Sequence, residues 1–240
     1  NGVNVGPPVQ YYTMGAGRWQ TAGTWPLLDT SDLALYFSPG PSGSADSLND
    51  GRLSEDLPSG TRGADRYIYN PSDPVRAHGG AMIGYPWHGP EYEAFCGPFD
   101  ERPVEGRCLT YTGESLERDL EVTGPVSAML FASSSVPDTD WVVRLSDVSP
   151  DGSARPVAEG ILRARYRDSA SVQILMEPGE AYMFLVDLWA TSNLFKRGHR
   201  IRVMVTSSWF PRWDRNLNTG GPFGREVEGR VAENVIHRDR

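Results

Sequence analysis

The sequence has little of what small extracellular domains and metal sites are built from. Only two cysteines occur, Cys96 and Cys108, and neither a second pair nor a neighbouring histidine completes a zinc site. A disulfide between them would suit an oxidising compartment, and two unpaired thiols fit the sequence at least as well. A chain of 240 residues buries a sizeable core without metals or cross-links. We therefore expect no cofactor and no metal ion.

Long apolar runs and an excess of basic residues are missing as well. No stretch approaches the length needed to cross a bilayer, and no signal segment opens the chain. The formal net charge is −8, from 31 acidic and 23 basic residues, whereas phosphate binding needs a basic surface. We expect a soluble protein with neither a nucleic-acid nor a membrane partner. The sequence does not distinguish a cytoplasmic from a secreted location.

The motifs of the common hydrolases are also absent from the sequence. The pentapeptide Gly-x-Ser-x-Gly, which exposes a nucleophilic serine on a strand-to-helix turn, occurs nowhere. The histidines, at positions 78, 88, 199 and 237, are too widely spaced for a zinc-binding HExxH motif. A hydrogen-bonding role in a loop or at a strand rim is the simpler interpretation of each. No catalytic constellation assembles from these residues.

Short runs of alternating apolar residues dominate instead, punctuated by 26 glycines and 19 prolines. In one run Trp141, Val143 and Leu145 share a face. The Asp151-Gly152 pair that follows this run tolerates the positive φ that a tight hairpin needs. No long helical periodicity occurs. The pattern predicts an all-β fold, a two-sheet sandwich of the jelly-roll kind.

The remaining strand candidates are β-branched or aromatic runs spread along the chain. They are LALYFS from Leu33, RYIYN from Arg66, CLTYTG from Cys108, RDLEVTG from Arg118, VSAMLFAS from Val126, RPVAEGILRARY from Arg155, YMFLVDLW from Tyr182, RIRVMVTS from Arg200 and NVIHR from Asn234. Two segments between them are irregular. Residues 39–63 are rich in turn formers, which predicts a long surface loop. Residues 77–98 are unusually apolar for a loop, and apolar loop residues usually cover something.

An acidic pair, Asp138 and Asp140, lies just before the strand that begins at Trp141. Two carboxylates at this spacing could supply oxygen ligands to calcium. An Asx-type turn at the strand entry is the alternative. No further acidic cluster lies nearby in sequence, so we prefer the turn.

The stretch SSWFPRWDRNLNTGG, residues 207–221, concentrates aromatic, arginine and amide side chains. Trp209, Phe210 and Trp213 beside two arginines could form a platform on which sugars stack, as in a carbohydrate-binding module. A structural interpretation fits equally well. Pro211 would end the strand, the aromatic side chains would cover the sheet end, and Arg215 with the two asparagines would tie down the turn. The residues alone leave both interpretations open.

The sequence from about Pro7 to Arg240 resembles a known family. Two stretches carry the resemblance, DLEVTGPVSAMLFASSSVPDTDWVVRLSDVSPDGSARPVAEGILRARYRDS and LMEPGEAYMFLVDLWATSNLFKRGHRIRVMVTSSWFPRWDRNLNTGG. They are similar to the C-terminal domain of the X-Pro dipeptidyl-peptidase and cocaine esterase family of serine hydrolases. The resemblance implies a jelly-roll sandwich of galactose-binding-domain-like fold with long irregular loops. It also implies that the catalytic triad lies upstream, so no catalytic residue is carried over to this chain.

The resemblance further implies how the chain is divided. Residues 1–25 are similar to the C-terminal strand and crossover of a preceding α/β-hydrolase domain, and residues 26–240 to the jelly-roll domain. Family members continue past the equivalent of IHRDR into a last apolar strand, which has no counterpart here. The implied partners are the preceding α/β-hydrolase and cap domains of the same parent protein.

The family places an apolar loop near the substrate, immediately after a Gly-Gly pair. Gly79-Gly80 matches that pair, so Met82 and Ile83 become candidates for residues that bind the acyl part of a substrate. Gly84 departs from the pattern, because a large side chain is expected there. Tyr85 or Trp87 could replace the missing bulk. These four apolar residues form the predicted substrate site.

The resemblance thus implies a non-catalytic domain that stabilises a serine hydrolase and lines part of its pocket. The substrate expected for the intact enzyme is a small ester, amide or X-Pro peptide, cleaved through an acyl-enzyme. The alternative is an independent carbohydrate-binding module, and a third interpretation is a domain that mediates homo-oligomerisation. For residues 207–221 the resemblance favours the structural interpretation.

Overall fold

The structure is a computed structural model that describes residues 6–57, 63–81, 96–97, 99–222 and 224–238. Across these ranges the chain is built almost entirely of strands, as short alternating runs between glycine and proline turns favour. The strands are β1 (Val9–Thr13), β2 (Arg18–Ala22), β3 (Tyr36–Ser38), β4 (Gly51–Ser54), β5 (Ala64–Tyr69), β6 (Gly80–Ala81), β7 (Cys96–Gly97), β8 (Leu109–Thr112), β9 (Leu120–Ser134), β10 (Asp140–Val148), β11 (Ala154–Arg163), β12 (Tyr182–Phe195), β13 (Arg200–Thr206) and β14 (Ala232–His237). The described helices are a short α1 (Arg102–Glu105) and a 3₁₀ turn (Ala164–Tyr166).

Two large sheets lie face to face and form a sandwich. One has six strands in the order β11-β10-β13-β8-β4-β3, and the other has four in the order β12-β9-β14-β5. Neighbouring strands are antiparallel, apart from the parallel pair of β4 and β8. Two small ladders, β1-β2 and β6-β7, accompany the sandwich. The predicted all-β, two-sheet fold is confirmed.

The sandwich core is formed by the inward-facing side chains of both sheets. Trp141 and Val143 of β10 pack with Leu130 of β9 and with Phe184 and Val186 of β12, and each of these side chains is at most 1% exposed. Burial of side chains of this size contributes about 1.5–3 kcal/mol each. The face predicted for β10 from its alternation is therefore the core face.

The outer face of the six-stranded sheet is buried as well, under a second layer. Val142 and Met204, which alternate with the core residues of β10 and β13, pack there against Val75, Cys108 and Trp209. The covering chain comes from the irregular segments before β8 and after β13. Because β10 is covered on both faces, its outward-facing polar side chains are also buried.

The strand β9 is longer than the sequence predicts. The pattern gives two runs separated by Pro125, whereas the structure has one strand through this residue. Pro125 pairs with Ala190 of β12, and on the other side β14 pairs with β9 only over residues 131–134. The missing proline N–H therefore lies where no second strand needs it.

The strand β4 falls inside the segment 39–63, which the sequence predicts to be a loop. Leu53 brings an apolar side chain into the core and is 5% exposed. Gly51 lets β4 approach β8, because a Cβ there would lie 2.6 Å from the Tyr111 ring. An isolated Leu and a Gly among turn formers are too weak a pattern to indicate a strand.

The hairpin β1-β2 is attached to the edge of β12. Thr13 and Ser192 share a buried hydrogen bond of 2.8 Å between their hydroxyl groups. The Met14 N–H donates to the Ser192 carbonyl, and the Leu194 N–H donates to the Met14 carbonyl. Trp19 on β2 faces outward and is 73% exposed. The hairpin thus contacts the sandwich through backbone and side-chain hydrogen bonds and presents aromatic side chains on its surface.

Candidate functional site

The predicted substrate site begins at a tight backbone ladder. Gly79 and Gly80 have φ values of 68° and 134°, in the region that favours glycine. Gly80 pairs with Gly97, and Ala81 pairs with Cys96. A Cβ on Gly79 would lie 2.7 Å from the Gly97 carbonyl oxygen, so only glycine fits. The chain therefore enters and leaves segment 82–95 through two adjacent, hydrogen-bonded strands.

The four residues predicted to bind substrate follow this ladder directly. Met82, Ile83, Tyr85 and Trp87 lie outside the described residues, so the structure neither brings them together nor separates them. Their role stays a prediction. The ladder fixes only where the segment that carries them leaves the sheet.

A buried ion network lies beneath the ladder, on the outer face of the six-stranded sheet. Arg144 of β10 is 0% exposed and donates through Nε to Glu101 at 2.6 Å and through Nη1 to Glu159 at 2.6 Å. Ser146 also donates to Glu101. A second cation, Arg212, lies 3.3 Å from the Glu159 carboxylate. The buried guanidinium of Arg144 thus meets two carboxylates away from water, and the partly exposed Arg212 lies beside one of them.

Trp209 closes this network on one side. Its ring is 1% exposed, and the guanidinium carbon of Arg144 lies 3.9 Å from the ring centroid. A stacked cation and ring of this kind attract each other electrostatically. Because no open ring face remains, Trp209 cannot stack on a sugar. The structural interpretation of this residue is the one that the geometry supports.

The polar part of residues 207–221 holds the turn, as the structural interpretation predicts. Asn216 donates to both Asp138 and Asp140 at 2.8 Å. Arg163 forms a two-pronged ion pair with Asp140, and Arg165 donates to Asp138. The acidic pair therefore binds arginine and asparagine side chains, which corrects the expectation of a simple Asx turn.

A second buried ion pair lies one strand away from Arg144. Arg202 of β13 donates to Glu105 of α1 and, at 2.9 Å, to Thr112. Burial raises the pKa of Glu105 and lowers that of Arg202, against the attraction between the two charges. For each of these groups the cost of leaving water therefore exceeds the stabilisation that its charge gains from the attraction.

Neither cysteine chemistry nor histidine chemistry emerges from the described ranges. Cys108 is a free thiol at 0% exposure, and burial raises the pKa of this thiol to about 12, whereas the side chain of Cys96 lies outside the described part of the chain. His199 contacts Asp147 at 2.8 Å and His237 contacts Ser133 at 3.0 Å, as strand-rim hydrogen bonds.

The described part of the chain contains no group of three or more acidic, histidine or cysteine side chains that could hold a metal ion. Likewise, none of the helices described here is long and apolar enough to cross a membrane.

Sequence reasoning missed the buried ion network. Its members are spread over about a hundred residues, so in the sequence each has the character of an ordinary surface charge. The order of the strands in the sheet brings them together. One signal could have found them. Arg144 and Arg202 each sit in an apolar strand, on the face opposite the core residues, and a charged side chain there must be paired if that face is covered.

Comparison with known proteins identifies the family. The profile of the X-Pro dipeptidyl-peptidase C-terminal non-catalytic domain matches residues 1–240. The chain belongs to this family. Cocaine esterase of Rhodococcus sp. (strain MB1 Bresler) is 45% identical over 237 residues, which cover 97% of this chain and 40% of the esterase.

Two solved structures share the fold. An aminopeptidase from a marine sediment Thaumarchaeota archaeon superposes with a TM-score of 0.80 at 30% identity, over 97% of this chain and 38% of the aminopeptidase. An α-amino acid ester hydrolase gives the same TM-score and identity, 0.80 and 30%, over 96% of this chain and 39% of the hydrolase. The chain therefore spans about two fifths of the length of each of these three relatives.

Proposed function

We propose that this chain is the non-catalytic C-terminal domain of a serine hydrolase, stabilises its catalytic domain and lines part of its substrate pocket. The match to the non-catalytic family over the whole chain carries the proposal. The relatives include an esterase, an aminopeptidase and an amino acid ester hydrolase, so the substrate class is an ester, amide or peptide. The sandwich itself is of the jelly-roll, galactose-binding-domain-like kind in this proposal.

The chemistry of such an enzyme would come from its catalytic domain. A serine would attack the carbonyl carbon, a histidine would take the serine proton, and an oxyanion hole would stabilise the intermediate. This chain would contribute apolar contacts that orient the acyl group. We assign them to Met82, Ile83, Tyr85 and Trp87, which follow the Gly79-Gly80 ladder in sequence.

The catalytic domain also needs a surface on this chain against which to pack. The hairpin β1-β2 supplies exposed aromatic side chains, with Tyr12 46% and Trp19 73% exposed and their ring centroids 5.5 Å apart. In the proposal, residues 1–25 form the junction with a preceding α/β-hydrolase domain. An exposed aromatic pair next to such a junction is typical of an interface.

Kinetics on the full-length protein tests the pocket assignment. We expect Met82→Ala and Ile83→Ala each to lower kcat/KM for a bulky acyl ester by about tenfold, since one apolar contact in a pocket contributes on this scale. Val227→Ala, at a side chain that is 95% exposed, is the control and should leave kcat/KM unchanged. Unchanged kinetics in both pocket variants would contradict the assignment.

The non-catalytic character has its own test. This chain alone should release no product above background from an activated ester or an X-Pro amide. Turnover by the isolated chain that an active-serine inhibitor abolishes would show that it carries its own catalytic site.

A further inference from the structure

Burial of the charged groups around Arg144 costs more free energy than burial of apolar side chains in the same place would. Two carboxylates and a guanidinium are withdrawn from water on a face that also carries the buried apolar side chains of Val142, Met204 and Trp209. Replacement of such groups by apolar residues of similar volume is often neutral or stabilising, so stability alone does not explain them. The geometry indicates what else they do.

The first link runs from Arg144 to the strand that enters segment 82–95. Glu159 lies directly beneath Gly80, since a Cβ on that glycine would be 2.9 Å from one carboxylate oxygen and 3.0 Å from the other. The Gly80 backbone therefore rests on the Glu159 carboxylate. Arg144 holds that carboxylate at 2.6 Å.

The second link runs from Arg144 to the chain that leaves the segment. Glu101, which is 0% exposed, follows β7 by four residues and accepts from Arg144 Nε at 2.6 Å. Its backbone N–H also donates to the Ala154 carbonyl at the start of β11. One guanidinium thus ties down both ends of segment 82–95.

We infer that Arg144, acting through Glu101 and Glu159, is a positioning residue that sets how the enzyme fits its acyl group. The inference rests on the proposed function, because Met82 and Ile83 follow the anchored Gly80 by two and three residues. The last described residue of the anchored ladder, Ala81, immediately precedes Met82 in the sequence. Displacements of about 1 Å are enough to change a reaction rate by orders of magnitude.

The charges in the network favour anchoring by Glu159 in particular. Arg144 and Arg212 both face its carboxylate, at 2.6 and 3.3 Å. Glu159→Gln preserves the shape of the side chain and leaves two cations facing a neutral amide. The ladder then loses its charged support while the apolar packing of the second layer is kept.

Two measurements on one set of variants test the inference. In this chain, Glu159→Gln should speed amide hydrogen exchange of residues 79–81 and 96–97 by about tenfold, because local opening becomes easier. In the full-length protein, the same change should raise KM for a bulky acyl ester about tenfold and change kcat by about twofold or less. Arg144→Met should act in the same direction.

Asp138→Asn is the matched control. Asp138 is 0% exposed and ion-paired like Glu159, but it belongs to the polar corner around Asn216. We expect this variant to lose thermal stability without faster exchange of the ladder and without a change in KM. A purely structural role for Arg144 would make the two kinds of variant alike.

Arg212→Ala keeps the test decisive if Glu159→Gln fails to fold. Arg212 is partly exposed, so its loss perturbs the network mildly and should speed ladder exchange in the same direction. Unchanged ladder exchange in folded Glu159→Gln or Arg212→Ala overturns the anchoring. Unchanged KM in Glu159→Gln, with Met82→Ala lowering kcat/KM, overturns the positioning role alone. Unchanged kinetics in both Glu159→Gln and Met82→Ala overturns the proposed pocket.

Discussion

The backbone of Gly160 on β11 touches the backbone of Asp187 on β12, where the two sheets meet. A Cβ on Gly160 would lie 2.0 Å from the Asp187 carbonyl oxygen. The contact falls at an irregularity in β12 between Asp187 and Ala190, where Trp189 has a φ of 68°. Glycine closes the sandwich along this edge because nothing larger fits.

Gly160→Ala should therefore destabilise the fold strongly. The methyl group would meet backbone atoms that cannot rotate away, so we expect a loss of about 3 kcal/mol or more in urea denaturation. Gly23→Ala is the control, because nothing lies within 4 Å of a Cβ there. Equal stability of the two variants would show that the sheets can separate at this edge.

Trp209 should behave as a core residue rather than as a ligand platform. Trp209→Ala removes a ring that is 1% exposed, and we expect the free energy of unfolding to fall by about 4 kcal/mol. Trp19→Ala, at an exposed ring, should cost about 1 kcal/mol or less.

A glycan array measures sugar binding by the unmodified chain and by Trp209→Ala, alongside the denaturation curves. The unmodified chain should bind no sugar. Saturable glycan binding that Trp209→Ala abolishes in a stably folded protein would restore the carbohydrate-binding interpretation.

Cys108 should resist thiol reagents as long as the protein is folded. Its side chain is 0% exposed, and burial raises its pKa to about 12, so the reactive thiolate is scarce near neutral pH. Alkylation at pH 8 followed by peptide mass spectrometry should find Cys108 unmodified without denaturant and fully modified in guanidinium chloride. Rapid modification of the folded protein would contradict this burial.

The pair of Glu105 and Arg202, like the network around Arg144, is a buried ion pair whose contribution to stability can be measured by substitution. Glu105→Gln should change stability at pH 7 by about 1 kcal/mol or less, because the cost of burying the charged carboxylate offsets its attraction to Arg202. Replacement of both residues, Glu105→Leu with Arg202→Met, should leave stability at pH 7 equal to or above that of the unmodified chain.

The pH dependence of that double variant follows from the raised pKa of Glu105. The folded state binds the Glu105 proton more tightly than the unfolded state, so the cost of ionisation applies above the folded pKa. As the pH falls through that value toward the unfolded one, the unmodified chain recovers stability. The advantage of the double variant should shrink in the same window, as measured by urea denaturation at several pH values.

The sequence predicts the strands well where apolar residues alternate regularly along a run. Trp141 and Val143 sit in a run whose period of two is unambiguous, and both lie in the core. β4 escapes prediction because its packing depends on a contact between Gly51 and Tyr111 from a distant strand. Local pattern carries no information about such a partner.

The candidate site is predictable only in part, for the same reason. The two glycines that open the ladder are visible as a Gly-Gly pair and have the positive φ values that glycine permits. Glu159, on which Gly80 rests, is separated from it by about a third of the chain. Only the order of the strands places β11 beneath β6, and that order depends on the packing of the whole sandwich.

Contact between this chain and a bound substrate is the most direct test of the central claim. A photoreactive amino acid at position 82 or 83 of the full-length protein should form a covalent adduct with an acyl inhibitor held in the active site. The same amino acid at position 227, which is 95% exposed, should form none. Adducts at 82 or 83 that excess substrate suppresses are the predicted result. Absence of adducts at both positions, with the inhibitor shown to be bound, would contradict the claim that this domain lines the pocket.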